Sequence, residues 1–378
     1  MEKECTIQRL VDMLVPGMSQ SIYENTADTL RTLALENPEN VVKIVEAGAI
    51  PRLVNMFGPG MSQTVNENIA GALWNLSFEN TENIVKISES GAIQSLVNML
   101  VPGMSQTLYE NIAGALLNLA YDNAGNVVKI AEAGAIPRLV DLLVPEMSEE
   151  VYENVTGTLV NLTCTNSENM SKIVKAGAIP RLVDLLVPGM SQEVYENVTG
   201  TLRNISSDEE MTYMIADAGA IPRLVDMLVP EMSQEVHKNA TFTIMHLSFD
   251  YEISAVKIAE IGAIPRLVEM LVPGSSREVH ENVTSILWDI TCASDKNAEN
   301  RNKIAAIGAI PHLVRMLGPG MSQTIHENAS AILWNLSLTR NNAEHRVKMV
   351  EEGAIKYLVT MKSSENIWEK TLQLVGLP

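Results

Sequence analysis

The chain has 378 residues, with 27 Lys and Arg against 46 Asp and Glu, a formal net charge of −19. That balance repels phosphate backbones, which excludes general nucleic-acid binding and favours basic partners. Hydrophobic residues make up 46% but aromatics only 4%, so a core must come from Leu, Ile, Val, Ala and Met, as in closely packed helices.

The opening MEKECTIQRL has neither a basic n-region nor an apolar h-region, so no secretory leader is expected. No uninterrupted apolar run approaches the ~18 residues of a membrane span. Cys5, Cys164 and Cys292 are odd in number and lack CxxC spacing, which argues against a disulfide framework or zinc cluster. A reducing compartment is expected, cytoplasmic or nuclear or both.

From the first repeat onward the chain is periodic. Gly-Ala-Ile recurs at Gly48, Gly91, Gly134, Gly177, Gly219, Gly262, Gly308 and Gly353, in steps of 42 to 46 residues. Each unit reads as three helices. The first, of the SENMSKIVKA type, leads to a glycine suited to the left-handed residue that closes a helix. The second carries Pro51, Pro137, Pro180, Pro222, Pro265 or Pro311 in its first turn, where a missing N–H costs nothing. Its apolar residues, such as Ile179, Leu182, Val183 and Leu186, keep helical spacing. The linker VPGMSQ then breaks the helix, and its serine (Ser19, Ser62, Ser105, Ser148, Ser191, Ser233, Ser276, Ser322) is placed to cap the third helix. That helix carries one apolar stripe, for example Val194, Val198, Leu202 and Ile205.

One such unit cannot cover its own apolar face, whereas a stack of units makes a continuous core. Residues 1–378 therefore read as a single domain of about nine units. These are a truncated N-terminal cap over 1–35, seven full repeats over 36–337, and a truncated C-terminal cap over 338–378, where MKSSEN replaces VPGMSQ before IWEKTLQLVGLP.

The string NENIAGALWNLSFENTENIVKISESGAIQSLV resembles the armadillo repeat, most closely that of plant ubiquitin-ligase proteins and of catenins. The likeness spans essentially residues 7 to 378. It implies an all-α fold, a right-handed α-solenoid whose third helices line a concave groove for extended peptides.

Alignment of the third helices places Thr32, Asn75, Asn118, Asn161, Asn204, His246, Asp289 and Asn335 in one row. Seven residues earlier runs a second row, Asn25, Asn68, Asn111, Asn154, Asn197, Asn239, Asn282 and Asn328. An amide offers a donor and an acceptor, so such a ladder suits the backbone of an extended chain; equally, it can satisfy neighbouring helix ends. The second reading is preferred for the earlier row. The resemblance implies groove asparagines at Asn75, Asn118, Asn161, Asn204 and Asn335, and Thr32, His246 and Asp289 depart from it.

Just before the ladder come Arg31, Trp74, Leu117, Val160, Arg203, Met245, Trp288 and Trp334. Trp and Arg are frequent interface anchors, so Trp74, Arg203, Trp288 and Trp334 are candidate groove residues, with packing between layers as the alternative. An acidic row, including Glu67, Glu110, Glu153 and Glu196, is either a solvated face or a rim that attracts Lys and Arg. His237, His280 and His326 stand where Tyr109, Tyr152 and Tyr195 stand in other units, and read as packing residues.

No GxSxG, HExxH, P-loop or GxGxxG occurs, so no catalytic or metal site is assigned and no cofactor is expected. The reading is a non-catalytic scaffold holding extended, Lys/Arg-bearing protein or peptide segments, with no nucleic-acid or membrane partner; self-association stays open. An importin-like nuclear cargo adaptor is the alternative, though the Trp expected four residues before the ladder is replaced at Asp28, Gly71, Gly114, Gly157, Gly200, Phe242, Ser285 and Ala331. An enzyme with a site spread across the groove comes last.

Overall fold

The computed structural model describes residues 2–164, 166–249, 252–292, 297–338 and 342–358. Among them are twenty-five helices and no strand. The contacts divide the chain into two compact units, residues 1–185 with 189–204, and residues 186–188 with 205–378. The segments MKSSEN and IWEKTLQLVGLP of the C-terminal cap lie outside the described residues.

In the first unit a two-helix repeat, Glu2–Asp12 and Gln20–Glu36, precedes repeats of three helices. The third helices Gln20–Glu36, Gln63–Ser77, Gln106–Ala120 and Glu149–Thr163 stack successively against one another. In the second unit Gln234–Phe249, Arg277–Thr291 and Gln323–Ser337 do the same.

Local chemistry sets the helix ends. Gly48, Gly91, Gly134, Gly177, Gly219, Gly262 and Gly308 all sit in the left-handed region, joining the first helix of a repeat to the second across one tight turn. All eight linker serines accept a hydrogen bond from the backbone N–H three residues on, as Ser62 does from Val65 at 3.2 Å. Each such cap is worth about 1 kcal/mol. The first helices have their own cap, a pair of asparagines three apart. Asn80 accepts from the N–H of Asn83, and the Asn83 amide donates to the Leu76 carbonyl at the end of the preceding third helix. The pairs Asn37 with Asn40, Asn123 with Asn126, and Asn166 with Asn169 repeat this.

The core is aliphatic. Val194, Val198, Leu202 and Ile205 are fully buried, and so are their counterparts Val151, Val155, Leu159 and Leu162. Burial of each Val, Leu or Ile side chain contributes about 1.5–3 kcal/mol. Register between layers is fixed by arginines of the second helices: Arg52, Arg138 and Arg181 donate to Val11, Val97 and Val140, carbonyls at the end of the previous second helix.

Candidate functional site

The third helices carry every candidate residue, and their hydrogen bonds separate stitching from exposed chemistry. In the earlier asparagine row, the amides of Asn68, Asn111, Asn154 and Asn197 donate to the carbonyls of Glu24, Glu67, Glu110 and Glu153, one repeat back, at 2.9 to 3.3 Å. These asparagines bind the layers together. Their partners lie within the neighbouring third helix near its start, not at a helix end.

In the ladder row the donors are also partly committed. Asn75 donates to the Arg31 carbonyl at 3.0 Å. Asn118 donates to the Trp74 carbonyl and to the hydroxyl of Ser77, which itself donates to Trp74 O. Asn204 reaches the Thr163 hydroxyl at 2.9 Å, and in the second unit Asn335 reaches Thr291 at 3.1 Å. Asn118, Asn204 and Asn335 thus use a hydroxyl two residues after the ladder position of the previous repeat, whereas Asn75, with Ala34 at that place, uses the Arg31 carbonyl. For Asn161 that position is Ala120. The Asn161 side chain has no hydrogen-bond partner among the described residues, and it is half-buried. At Asp289 the polarity is reversed: the Ser248 hydroxyl donates to its carboxylate at 2.7 Å. Burial raises the Asp289 pKa from the usual carboxylate value, and the Ser248 bond opposes the rise.

Within the first unit, Asn118 and Asn161 line a cleft of about 560 Å³ together with Leu117, Val160, Ile84 and Asn197. Phe78 and Tyr121 stand in its wall, each followed by an acidic residue, Glu79 and Asp122, and Glu193 lies in the lining as well. Burial, followed by the charges of Glu153 and Glu196, raises the Glu193 pKa. Of the other ladder candidates, Asn75 and Asn204 do not line this cleft, and Asn335 belongs to the second unit.

The row before the ladder is only partly available. Trp74 is half-buried and its indole covers Gly114, while the Arg31 stem covers Gly71 and the Leu117 side chain covers Gly157. These glycines occupy the positions four residues before the ladder, and the side chain of the preceding repeat fills the space over each. Arg203 and Trp334 are half-buried, and Trp288 is the more open, at 36%. The acidic row is half-buried at Glu67, Glu110, Glu153 and Glu196. The carboxylates of Glu24, Glu67 and Glu110 accept the hydroxyls of Ser62, Ser105 and Ser148, the caps of the next third helix. Much of that row's charge thus serves the helix ends.

The tyrosine and histidine row clamps the linker. Tyr23, Tyr109 and Tyr152 donate to the carbonyl eight residues upstream at 2.6 to 2.8 Å. His237, His280 and His326 place Nε2 2.9 to 3.2 Å from the equivalent carbonyl. In the second repeat Asn66 takes over, bonding both the N–H and C=O of Gly58. Beside it opens a cleft of about 510 Å³ lined by Phe57, Met61, Met99 and Met104.

The exposed Phe78 and Tyr121 are the residues that sequence reasoning missed. Both lie three places after the ladder, in a row continued by Leu35, Cys164, Ser207, Phe249, Cys292 and Leu338. Five of these, Leu35, Phe78, Tyr121, Phe249 and Leu338, are exposed apolar residues, a signal visible once the third helices are aligned. No group of three or more His, Cys, Asp or Glu able to hold a metal occurs among the described residues. No described helix is long and apolar enough to cross a membrane.

The family model described as the plant U-box protein ARM repeat region matches residues 19–249, and the armadillo/beta-catenin-like repeat matches residues 299–338. No curated protein is similar to the chain at a comparable level of significance. Among solved structures, an engineered protein is similar over 98% of this chain and 87% of its own, with a TM-score of 0.73 and 25% identity. A designed armadillo repeat protein is 32% identical over 64% of this chain and 99% of its own, with a TM-score of 0.56. A computationally designed armadillo repeat protein described as made for modular peptide recognition gives 32% identity, the same coverage and a TM-score of 0.57.

Proposed function

The chain belongs to the armadillo-repeat family of the plant U-box protein ARM repeat region, and from that premise we propose that it is a non-catalytic scaffold holding an extended, basic peptide segment along its third helices. The observation that carries this is the cleft of the first unit, where Asn161 has no partner among the described residues and Asn118 has its side-chain oxygen left to accept. An amide with an unused donor and acceptor on the wall of a cleft matches the alternating C=O and N–H of an extended chain. The designed neighbour made for modular peptide recognition supports the same mode.

A basic partner is supported by the net charge of −19 and by the Glu193 carboxyl beside Glu153 and Glu196, whose mutual repulsion a cation relieves. Cys164 and Cys292, in no disulfide among the described residues, fit a cytoplasmic or nuclear setting. The importin-like alternative gains no support, because none of the eight positions where its Trp residues would stand holds Trp, and three of them, Gly71, Gly114 and Gly157, are covered by Arg31, Trp74 and Leu117.

The test is a random-peptide display selection on the intact chain, repeated with Asn161→Ala. Enriched peptides should be extended and basic, should weaken as salt is raised, and should lose about 1–3 kcal/mol in the variant. The melt should change little, since the Asn161 side chain makes no hydrogen bond to the described residues. Enrichment insensitive to Asn161 would remove the groove assignment.

A further inference from the structure

The helices Gln63–Ser77 and Gln106–Ala120 end in the same uncommon way. Phe78 and Tyr121 leave the helix in extended backbone (ψ 123° and 122°), and Glu79 and Asp122 follow at φ +48°, the left-handed region that residues with a Cβ rarely adopt. The result is two aromatic rings held out from adjacent repeats, 62% and 70% exposed, in the wall of one cleft. Each ring is chained to a carboxylate with no hydrogen bond or ion pair to any described residue. Glu193 in the same lining is likewise without one.

We propose that Phe78 and Tyr121 form a side-chain subsite for arginine, the guanidinium lying against the rings with Glu79 and Asp122 as its counter-ions. This rests on the extended-peptide reading above and adds its specificity. Packed helices lie about 8–10 Å apart, so rings in the same register on two neighbours leave room for one ligand side chain to lie against either of them. An apolar side chain would cover the rings but strip water from unpaired carboxylates, an unfavourable exchange. A cation covers the rings and neutralises the carboxylates together. Arginine fits better than lysine because its plane stacks on aromatic faces and its five donors can reach two carboxylates at once. The Asn161 amide in the same cleft is then available to the peptide backbone beside that side chain.

The experiment uses fluorescein-labelled peptides of repeated Ser-Arg-Ser, with counterparts carrying lysine or citrulline in place of arginine, titrated by fluorescence anisotropy. The targets are the full chain, Phe78→Ala with Tyr121→Ala, and Asn161→Ala, each checked by thermal melt. The arginine peptide should bind about tenfold tighter than either counterpart, and the double variant should bring it to the lysine level. Asn161→Ala should weaken the arginine and lysine peptides alike. An arginine preference that survives in the double variant overturns the subsite while leaving the groove in place if Asn161 still matters. Absence of binding by all three peptides overturns the groove reading and the subsite with it.

Discussion

The indole of Trp74 lies directly over Gly114, forty residues further along the chain: a Cβ built on Gly114 would come within 2.4 Å of Trp74 Cε2. The ring packs on bare helix backbone in the next repeat, and glycine is retained there against its helix penalty of about 1 kcal/mol relative to alanine. Gly114→Ala should therefore destabilise the protein by about 1–3 kcal/mol, despite the better propensity, because the ring must move. Denaturant unfolding measures the loss, and a red shift of Trp emission would report the displaced indole. A stabilised variant would show that the ring is not held there.

The Asn161 side chain has no partner among the described residues, and Ala120 stands where Ser77 serves Asn118 and Thr163 serves Asn204. Ala120→Ser should supply the missing hydroxyl. The expected outcome is a gain of about 0.5–1.5 kcal/mol in stability, as for a new hydrogen bond, together with weaker binding of any peptide that uses Asn161. Melting and binding would thus move in opposite directions, which neither a global loosening nor a neutral substitution would produce.

Asp289 interrupts the ladder with a half-buried carboxylate whose pKa is raised by burial. A carboxyl with a folded pKa above its unfolded value favours the folded state only while protonated, so its ionisation at neutral pH opposes folding. Asp289→Asn removes that charge and restores the amide that donates to a hydroxyl at Asn118, Asn204 and Asn335. The variant should be more stable by about 1 kcal/mol at pH 7, with the advantage shrinking as pH falls toward 4. Parallel melts at the two pH values would decide the matter.

His280 is 6% exposed, places Nε2 3.2 Å from the Val272 carbonyl, and has its pKa lowered, chiefly by burial. Its folded pKa lies below the ordinary value of about 6.5, so the unfolded chain takes up a proton first as pH falls. Its contribution to stability is complete above about pH 6.5 and declines below it, down through the folded pKa. Tyrosine fills the same position in other repeats and donates to the equivalent carbonyl, Val101 for Tyr109 and Val144 for Tyr152. His280→Tyr should therefore lose less melting temperature than the parent between pH 7.5 and 5.5, and an equal loss would assign the pH dependence to other groups.

The sequence alone determined whatever is local and repeated: the glycine that closes each first helix, the serine that caps each third helix, and the apolar stripe of Val194, Val198, Leu202 and Ile205. Each depends on backbone geometry or side-chain spacing within a few residues, so one repeat shows it and the others confirm it. Tertiary structure alone decided what happens between residues one repeat apart. Asn111 and Asn161 are the same amide on the same kind of helix, yet one is bound to the Glu67 carbonyl and the other has no described partner, because only stacking sets which groups of the preceding repeat come within hydrogen-bond distance. Trp74 covers Gly114 for the same reason, and Phe78 and Tyr121, from adjacent repeats, line one cleft because the repeats stack. A hydrogen bond or ring contact acts over about 3 to 4 Å, and the chain brings residues 40 to 44 positions apart to that distance only by packing its layers.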